Sequence, residues 1–249
     1  MLKLGVNIDH VATLRQARYA RMPGATFAEP SVLEAAAACE RAGAHGITVH
    51  LRADRRHIQD ADVHALRKSI RTRLNLELGN TEEIVSIALQ VRPDEVCLVP
   101  ESREEITTEG GLDVGKHEAE LLKTVRRFHV AGVRVSMFID PEPVQVDASA
   151  RIGADMVELH TGAFANATEE DADRELDRLK TAAILAAKSG LQVNAGHGIN
   201  YVNIARILEI PNLSDLNIGH SIVSRAVMCG LENAVRLMLE KMAPYSPEH

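Results

Sequence analysis

Eight short aliphatic runs punctuate the chain: LGVNID (4–9), GITVHL (46–51), RLNLEL (73–78), EVCLVP (95–100), RVSMFI (134–139), DMVELH (155–160), QVNAGH (192–197) and DLNIGH (215–220). Runs of this length, rich in Val, Ile and Leu, read as buried strands. Between them lie longer stretches with helical spacing of apolar positions, at 32–41, 61–71, 82–91, 116–130, 173–188, 201–209 and 222–242, with a shorter one at 144–151.

Local chemistry marks the helix ends. Ser31 followed by Glu34 fits a capping box, and Thr81 and Asn200 are placed to cap N-termini. Gly43, Gly132, Gly153 and Gly190 each close a helical stretch and precede a strand, where a left-handed C-cap is expected. Strands alternating with helices imply a parallel sheet with both faces covered. Eight strands close a barrel, and such a barrel typically needs about 250 residues. The pattern therefore predicts an α/β fold, a (β/α)8 TIM barrel, as a single domain over 1–249. An open doubly wound sheet is the alternative, but it calls for a glycine-rich turn after the first strand. Here that turn is NIDHVATL, without glycine.

Composition narrows the functions. The net charge is −7, with 28 Lys and Arg against 35 Asp and Glu. No basic footprint for nucleic acid is present. Two local arginine clusters, Arg15/Arg18/Arg21 and Arg52/Arg55/Arg56, suit small anions such as phosphate esters, or else a solvated surface. The 3 cysteines are scattered, without CxxC spacing, as expected of reduced thiols filling the core of a cytoplasmic protein. No apolar run approaches the ~20 residues of a membrane span, so no membrane partner is expected.

In a barrel of this kind the chemistry gathers at the C-terminal ends of the strands. Those ends carry Asn7, Asp9 and His10; His50 and Arg52, with His57 just beyond; Glu77; Glu101, Arg103, Thr107 and Thr108; Asp140; Glu158, His160 and Thr161; His197; and His220. Of the 11 histidines, five fall there. A single histidine at a strand end is ordinary; five converging on one rim point to a polar site.

The turns Gly196–His197–Gly198 and Gly219–His220 lead into helices, where backbone N–H groups and the helix dipole favour an anion. Arg52, His57 and Thr107 offer a second anion site. A Schiff-base mechanism needs a lysine inside the barrel. Lys3 precedes the first strand, and Lys68, Lys116, Lys123, Lys180, Lys188 and Lys241 all fall in predicted helices. The histidines with Asp140 and Glu158 leave a metal site open, although neither an HxH nor an HExxH motif is present. General acid–base chemistry by His and Glu on a phosphorylated substrate is the reading these residues favour.

The segments LGVNIDHVATLRQAR, GITVHLRADRRHI, NLEL, VPESREEITTEGGLD, VNAGHG and LNIGHSI resemble the pyridoxine 5'-phosphate synthase family, from Leu4 to about Leu237. The resemblance implies a barrel with extra helices, a homo-octamer, no metal and no organic cofactor. It also implies condensation of 3-amino-2-oxopropyl phosphate with 1-deoxy-D-xylulose 5-phosphate to pyridoxine 5'-phosphate. By motif, His50 and Glu77 correspond to proton acceptors and His197 to a proton donor. Asn7, Arg18, Gly198, Gly219 and His220 would hold the amino-ketone phosphate. Asp9, His10, Arg52, His57 and Thr107 would hold the deoxyxylulose phosphate. The segment YARMPGATFAEP (19–30) is longer than the family pattern leads one to expect. The loop ITTEGGLD (106–113), with two glycines, is expected to close over the site. A single-substrate phosphate-ester isomerase or lyase on the same fold, and a barrel that only senses a phosphorylated ligand, are the alternatives.

Overall fold

The computed structural model describes residues 1–22, 25–101 and 110–246. Strands β1 (Lys3–Asn7), β2 (Gly46–His50), β3 (Arg73–Leu78), β4 (Glu95–Leu98), β5 (Arg134–Ile139), β6 (Met156–His160), β7 (Gln192–Gly196) and β8 (Leu213–Ile218) form a closed barrel in chain order. β1 pairs in parallel with β8, Leu4 opposite Leu216, and this closes the ring. All eight predicted strands are present.

The described helices are α1 (Asp9–Tyr19), α2 (Val32–Ala42), α3 (Asp60–Ser69), α4 (Glu82–Val91), α5 (Glu118–Val130), α6 (Pro143–Arg151), α7 (Gly162–Asn166), α8 (Glu169–Lys188), α9 (Ile204–Ile207), α10 (His220–Cys229) and α11 (Leu231–Met242). Ser31 and Thr81 cap α2 and α4 by accepting the N–H groups of Glu34 and Ile84. Gly43, Gly132, Gly153 and Gly190 all have positive φ. At the last three a Cβ would meet nothing within 4 Å, so backbone conformation rather than space selects glycine there.

Four helical expectations are corrected. Helix α1 starts one residue after β1, so Asp9 and His10 belong to its first turn and not to a strand. Its signal is weak because Val11 and Ala12 are its only buried apolar residues, while Leu14 faces out. The stretch 201–209 contracts to α9; Asn200 accepts the N–H groups of Val202 and Asn203, capping a turn ahead of it. The long helix at 222–242 is broken at Gly230, whose φ of 82° ends α10 and starts α11. Lys116 lies ahead of α5, outside any helix.

Two zones divide the side chains. One face of each strand packs outward: Leu74, Leu76 and Leu78 of β3, like Val135, Met137 and Ile139 of β5, are fully buried. They meet helix residues such as Leu66, Ile84, Leu121 and Phe128, and this annulus is the hydrophobic core. The other face is polar and fills the lumen. Arg73 of β3 pairs with Asp215 of β8, and Asn217 of β8 donates to Glu158 of β6 at 2.5 Å. Thr48 of β2 donates to Asn217 at 2.9 Å. None of these pairs lies on neighbouring strands, so all three contacts cross the interior. Two glycines make room: a Cβ on Gly5 would lie 2.2 Å from Asn217 Oδ1, and one on Gly196 would lie 2.1 Å from Glu158 Oε1. Among the described residues, no helix is long and apolar enough to cross a membrane.

Candidate active site

A cavity of about 610 Å³ opens at the C-terminal mouth of the barrel, a size that suits small ligands. Of the thirteen residues assigned to a site by motif, eleven line it: Asn7, Asp9, His10, His50, Arg52, His57, Glu77, His197, Gly198, Gly219 and His220. Arg18 does not; it lies exposed near the end of α1, its guanidinium 5.9 Å from the ring centroid of Tyr19. Thr107, with Arg103, Thr108 and the first half of the expected closing loop, lies outside the described residues.

Three carboxyls share the cavity. Asp9 accepts the backbone N–H of His50 at 2.8 Å and the Asn7 amide at 3.0 Å. The same Asn7 nitrogen reaches Glu77 Oε2 at 3.5 Å. Burial pushes Asp9 up to about 6, against the pull of His50 and Asn7. Burial, reinforced by the charges of Glu158 and Asp9, holds Glu77 well above the usual carboxylate range. Glu158 is pushed up to about 7 by burial, against the hydrogen bond from Asn217. A carboxyl with its pKa raised toward neutrality is suited to taking and returning protons at physiological pH.

His50 Nε2 meets Glu101 Oε1 at 2.5 Å, and Glu101 also accepts the Ala53 N–H at 3.0 Å. Burial alone would raise Glu101; its bonds to His50 and Ala53 outweigh that and keep it below its ordinary range. Glu101 is therefore a carboxylate that only accepts, and Nε2 of His50 carries the proton. Nδ1 of a neutral His50 is then the basic nitrogen.

Groups suited to an anion fall into two sets. In one, Arg52 has a buried Nε without a hydrogen-bond partner, Asp54 being 3.7 Å away. His57 accepts the Ile58 N–H on Nδ1 at 2.8 Å, so its Nε2–H is the available donor. Burial, with lesser contributions from the neighbouring His50 and Arg52, lowers His57 to about 4, keeping it neutral. Arg15, Arg55 and Arg56 are instead engaged by Asp62, by Asp60 and Glu83, and by Asp54. Arg52 is thus the arginine of its cluster that the cavity uses. In the other, α10 begins at His220 without a side-chain cap, leaving a helix N-terminus for an anion. His197 and Gly198 precede it in sequence with φ of 75° and 79°.

Asp9, His50 and Glu77 also place one possible ligand atom each within 4.8 Å of one another, a spacing a divalent cation could bridge. The Asn7 amide already occupies both carboxylates of that trio.

Asp140, His160 and Thr161 stand at strand ends as the sequence suggests, while Glu158 lies in the middle of β6; motif matching gave none of them a role. Asn217 was missed altogether. Its signal is the alternation in DLNIGH, where Asp215 and Asn217 alternate with Leu216 and Ile218.

Residues 4–244 match the family model described as "Pyridoxal phosphate biosynthesis protein PdxJ". A protein of Akkermansia muciniphila named pyridoxine 5'-phosphate synthase is 59% identical over 236 residues, covering 94% of this chain and 96% of that one. A Synechococcus protein of the same name is 55% identical over 243 residues, covering 97% and 99%. Among solved structures, thiamine phosphate pyrophosphorylase from Pyrococcus furiosus superposes with a TM-score of 0.62 at 15% identity, covering 97% of this chain and 96% of that one, which speaks to the fold alone. The extent of the family match and the identity to its members place this chain in the pyridoxal phosphate biosynthesis protein PdxJ family.

Proposed function

We propose that the protein is a pyridoxine 5'-phosphate synthase that condenses 3-amino-2-oxopropyl phosphate with 1-deoxy-D-xylulose 5-phosphate, releasing phosphate and water. The observation that carries this reading is one cavity that holds two sets of groups suited to an anion and three carboxyls of raised pKa. Two phosphorylated substrates need two such sets. The amine of the first substrate attacks the ketone of the second, so the nitrogen of the imine comes from the substrate. The absence of a lysine among the residues lining the cavity agrees with that.

The Arg52–His57 corner takes the deoxyxylulose phosphate, with Asp9 and His10 along its chain and Thr107 as a further ligand. The Gly198–Gly219–His220 corner takes the amino-ketone phosphate, with Asn7 and Arg18. His50, through Nδ1, and Glu77 accept protons during imine formation and eliminations; His197 donates one to a departing oxygen. Each such transfer contributes on the order of 10²–10⁴-fold. Holding both substrates in one cavity contributes at least as much.

The chain works without metal or organic cofactor, as one unit over 1–249, in a homo-octamer in the cytoplasm. The test is to mix chelator-treated protein with both substrates and follow pyridoxine 5'-phosphate by its ultraviolet absorbance. Product from wild type and a large loss in Glu77→Gln are expected. Turnover of either substrate alone would favour the isomerase or lyase reading instead.

A further inference from the structure

We infer that Asp140, His160 and Thr161 form a positioning cradle for His197, setting both its backbone and its ring plane. This rests on the reading of His197 as the proton donor.

His197 stands in the left-handed region, with φ of 75°. Such a conformation is unfavourable for a non-glycine residue, so something must hold it. Thr161 does. Its hydroxyl donates to the carbonyl of His197 at 2.5 Å and to that of Gly196 at 2.9 Å. Its own N–H reaches the Gly196 carbonyl at 2.9 Å. Thr161 is buried, so water does not compete for these bonds.

The ring is set from the same strand end. His160 meets His197 edge-on, with centroids 5.0 Å apart and planes at 62°. Gly162 leaves the space for this contact: a Cβ there would lie 2.4 Å from His160 Nε2 and 3.2 Å from His197 Cδ2. His160 is in turn fixed by Asp140, Nδ1 to Oδ1 at 3.0 Å, and by the Phe138 ring at 5.1 Å. The hydrogen bond from His160 outweighs the opposing effect of partial burial and keeps Asp140 below the ordinary carboxylate range. Asp140 is thus a standing acceptor, and Nδ1 of His160 carries the proton. The chain of contacts runs from β5 through β6 to the residue following β7.

A proton donor displaced by about 1 Å can lose on the order of 10²-fold in rate. The cradle therefore shows itself in kcat. In the full-length protein assayed with both substrates, Thr161→Val and Asp140→Ala should each lower kcat on the order of 10- to 100-fold. KM for each substrate should stay within about twofold, since none of the three residues belongs to an anion corner. Thr161→Ser keeps the hydroxyl, and Asp140→Asn keeps an acceptor for His160 Nδ1–H, so both should restore most of the rate. Asp140 is half-exposed and its variants can be made without opening the core. His197→Asn is the control. If it loses activity while Thr161→Val and Asp140→Ala keep wild-type kcat, the cradle is wrong and the role of His197 stands. If His197→Asn itself keeps wild-type kcat, the reading of His197 falls and the cradle falls with it.

Discussion

Asn217 of β8 donates its amide to Glu158 of β6 at 2.5 Å, and the contact passes over Gly196 of the intervening strand. A carboxyl is thereby carried deep into the barrel, where burial lifts it to about 7.

Replacing Glu158 by Gln should stabilise the protein at alkaline pH. With its folded pKa above the unfolded 4.5, the native state binds more protons than the unfolded one between those values. Stability from this group therefore falls as pH rises from about 4.5 to about 7, then levels. At pH 8 Glu158→Gln should gain at most about 3 kcal/mol, and at pH 4 nearly nothing. Thermal melts at the two pH values read this directly. The same variant should move the pH–rate profile to lower pH, because the Glu158 charge helps to hold Glu77 above its ordinary range.

Gly196→Ala should displace Glu158. The added methyl would lie 2.1 Å from its Oε1 and 3.1 Å from the Asn217 carbonyl oxygen. Overpacking of this kind costs about 1–3 kcal/mol. Pairing it with Glu158→Asp, which shortens the side chain, should recover part of that in chemical denaturation. No recovery would mean the clash is with backbone.

Arg52→Met should act on one substrate only. Its buried Nε has no hydrogen bond to lose, and a charged hydrogen bond to phosphate contributes about 1.5–3 kcal/mol. KM for the deoxyxylulose phosphate should rise on the order of 10- to 100-fold, with that for the amino-ketone phosphate unchanged. Equal rises for both would remove the assignment of corners.

Glu101→Ala should lower kcat on the order of 10-fold or more, by freeing the His50 ring from its bond at 2.5 Å. Binding of either substrate alone, measured by calorimetry, should change little. A wild-type kcat would show that His50 keeps its orientation without Glu101.

Exhaustive chelation should leave the rate unchanged. If it abolishes activity and one added divalent ion restores it, the Asp9–His50–Glu77 trio is a metal site and the acid–base roles of those side chains must be redrawn.

The barrel was legible because outward-facing leucines, isoleucines and valines recur in eight short runs bounded by helix-ending glycines. Residues such as His50 and Glu77 were legible because strand ends are few and polar groups there have a common destination. Helix α1 was not, since it follows β1 after one residue and buries little apolar surface. The split at Gly230 was hidden inside an otherwise continuous helical pattern. Asn217 and the cradle around His197 were hidden for another reason: their meaning lies in contacts between strands, and a linear sequence shows only which face a residue takes.

The lumen contacts have a mechanical consequence. A closed sheet deforms most easily by flattening, one diameter shrinking as another grows. Arg73–Asp215, Thr48–Asn217 and Asn217–Glu158 act as spokes against that mode, each tying strands that the ladder does not join. The roundness of the barrel below the cavity is thereby braced from inside as well as by the outer ring of helices.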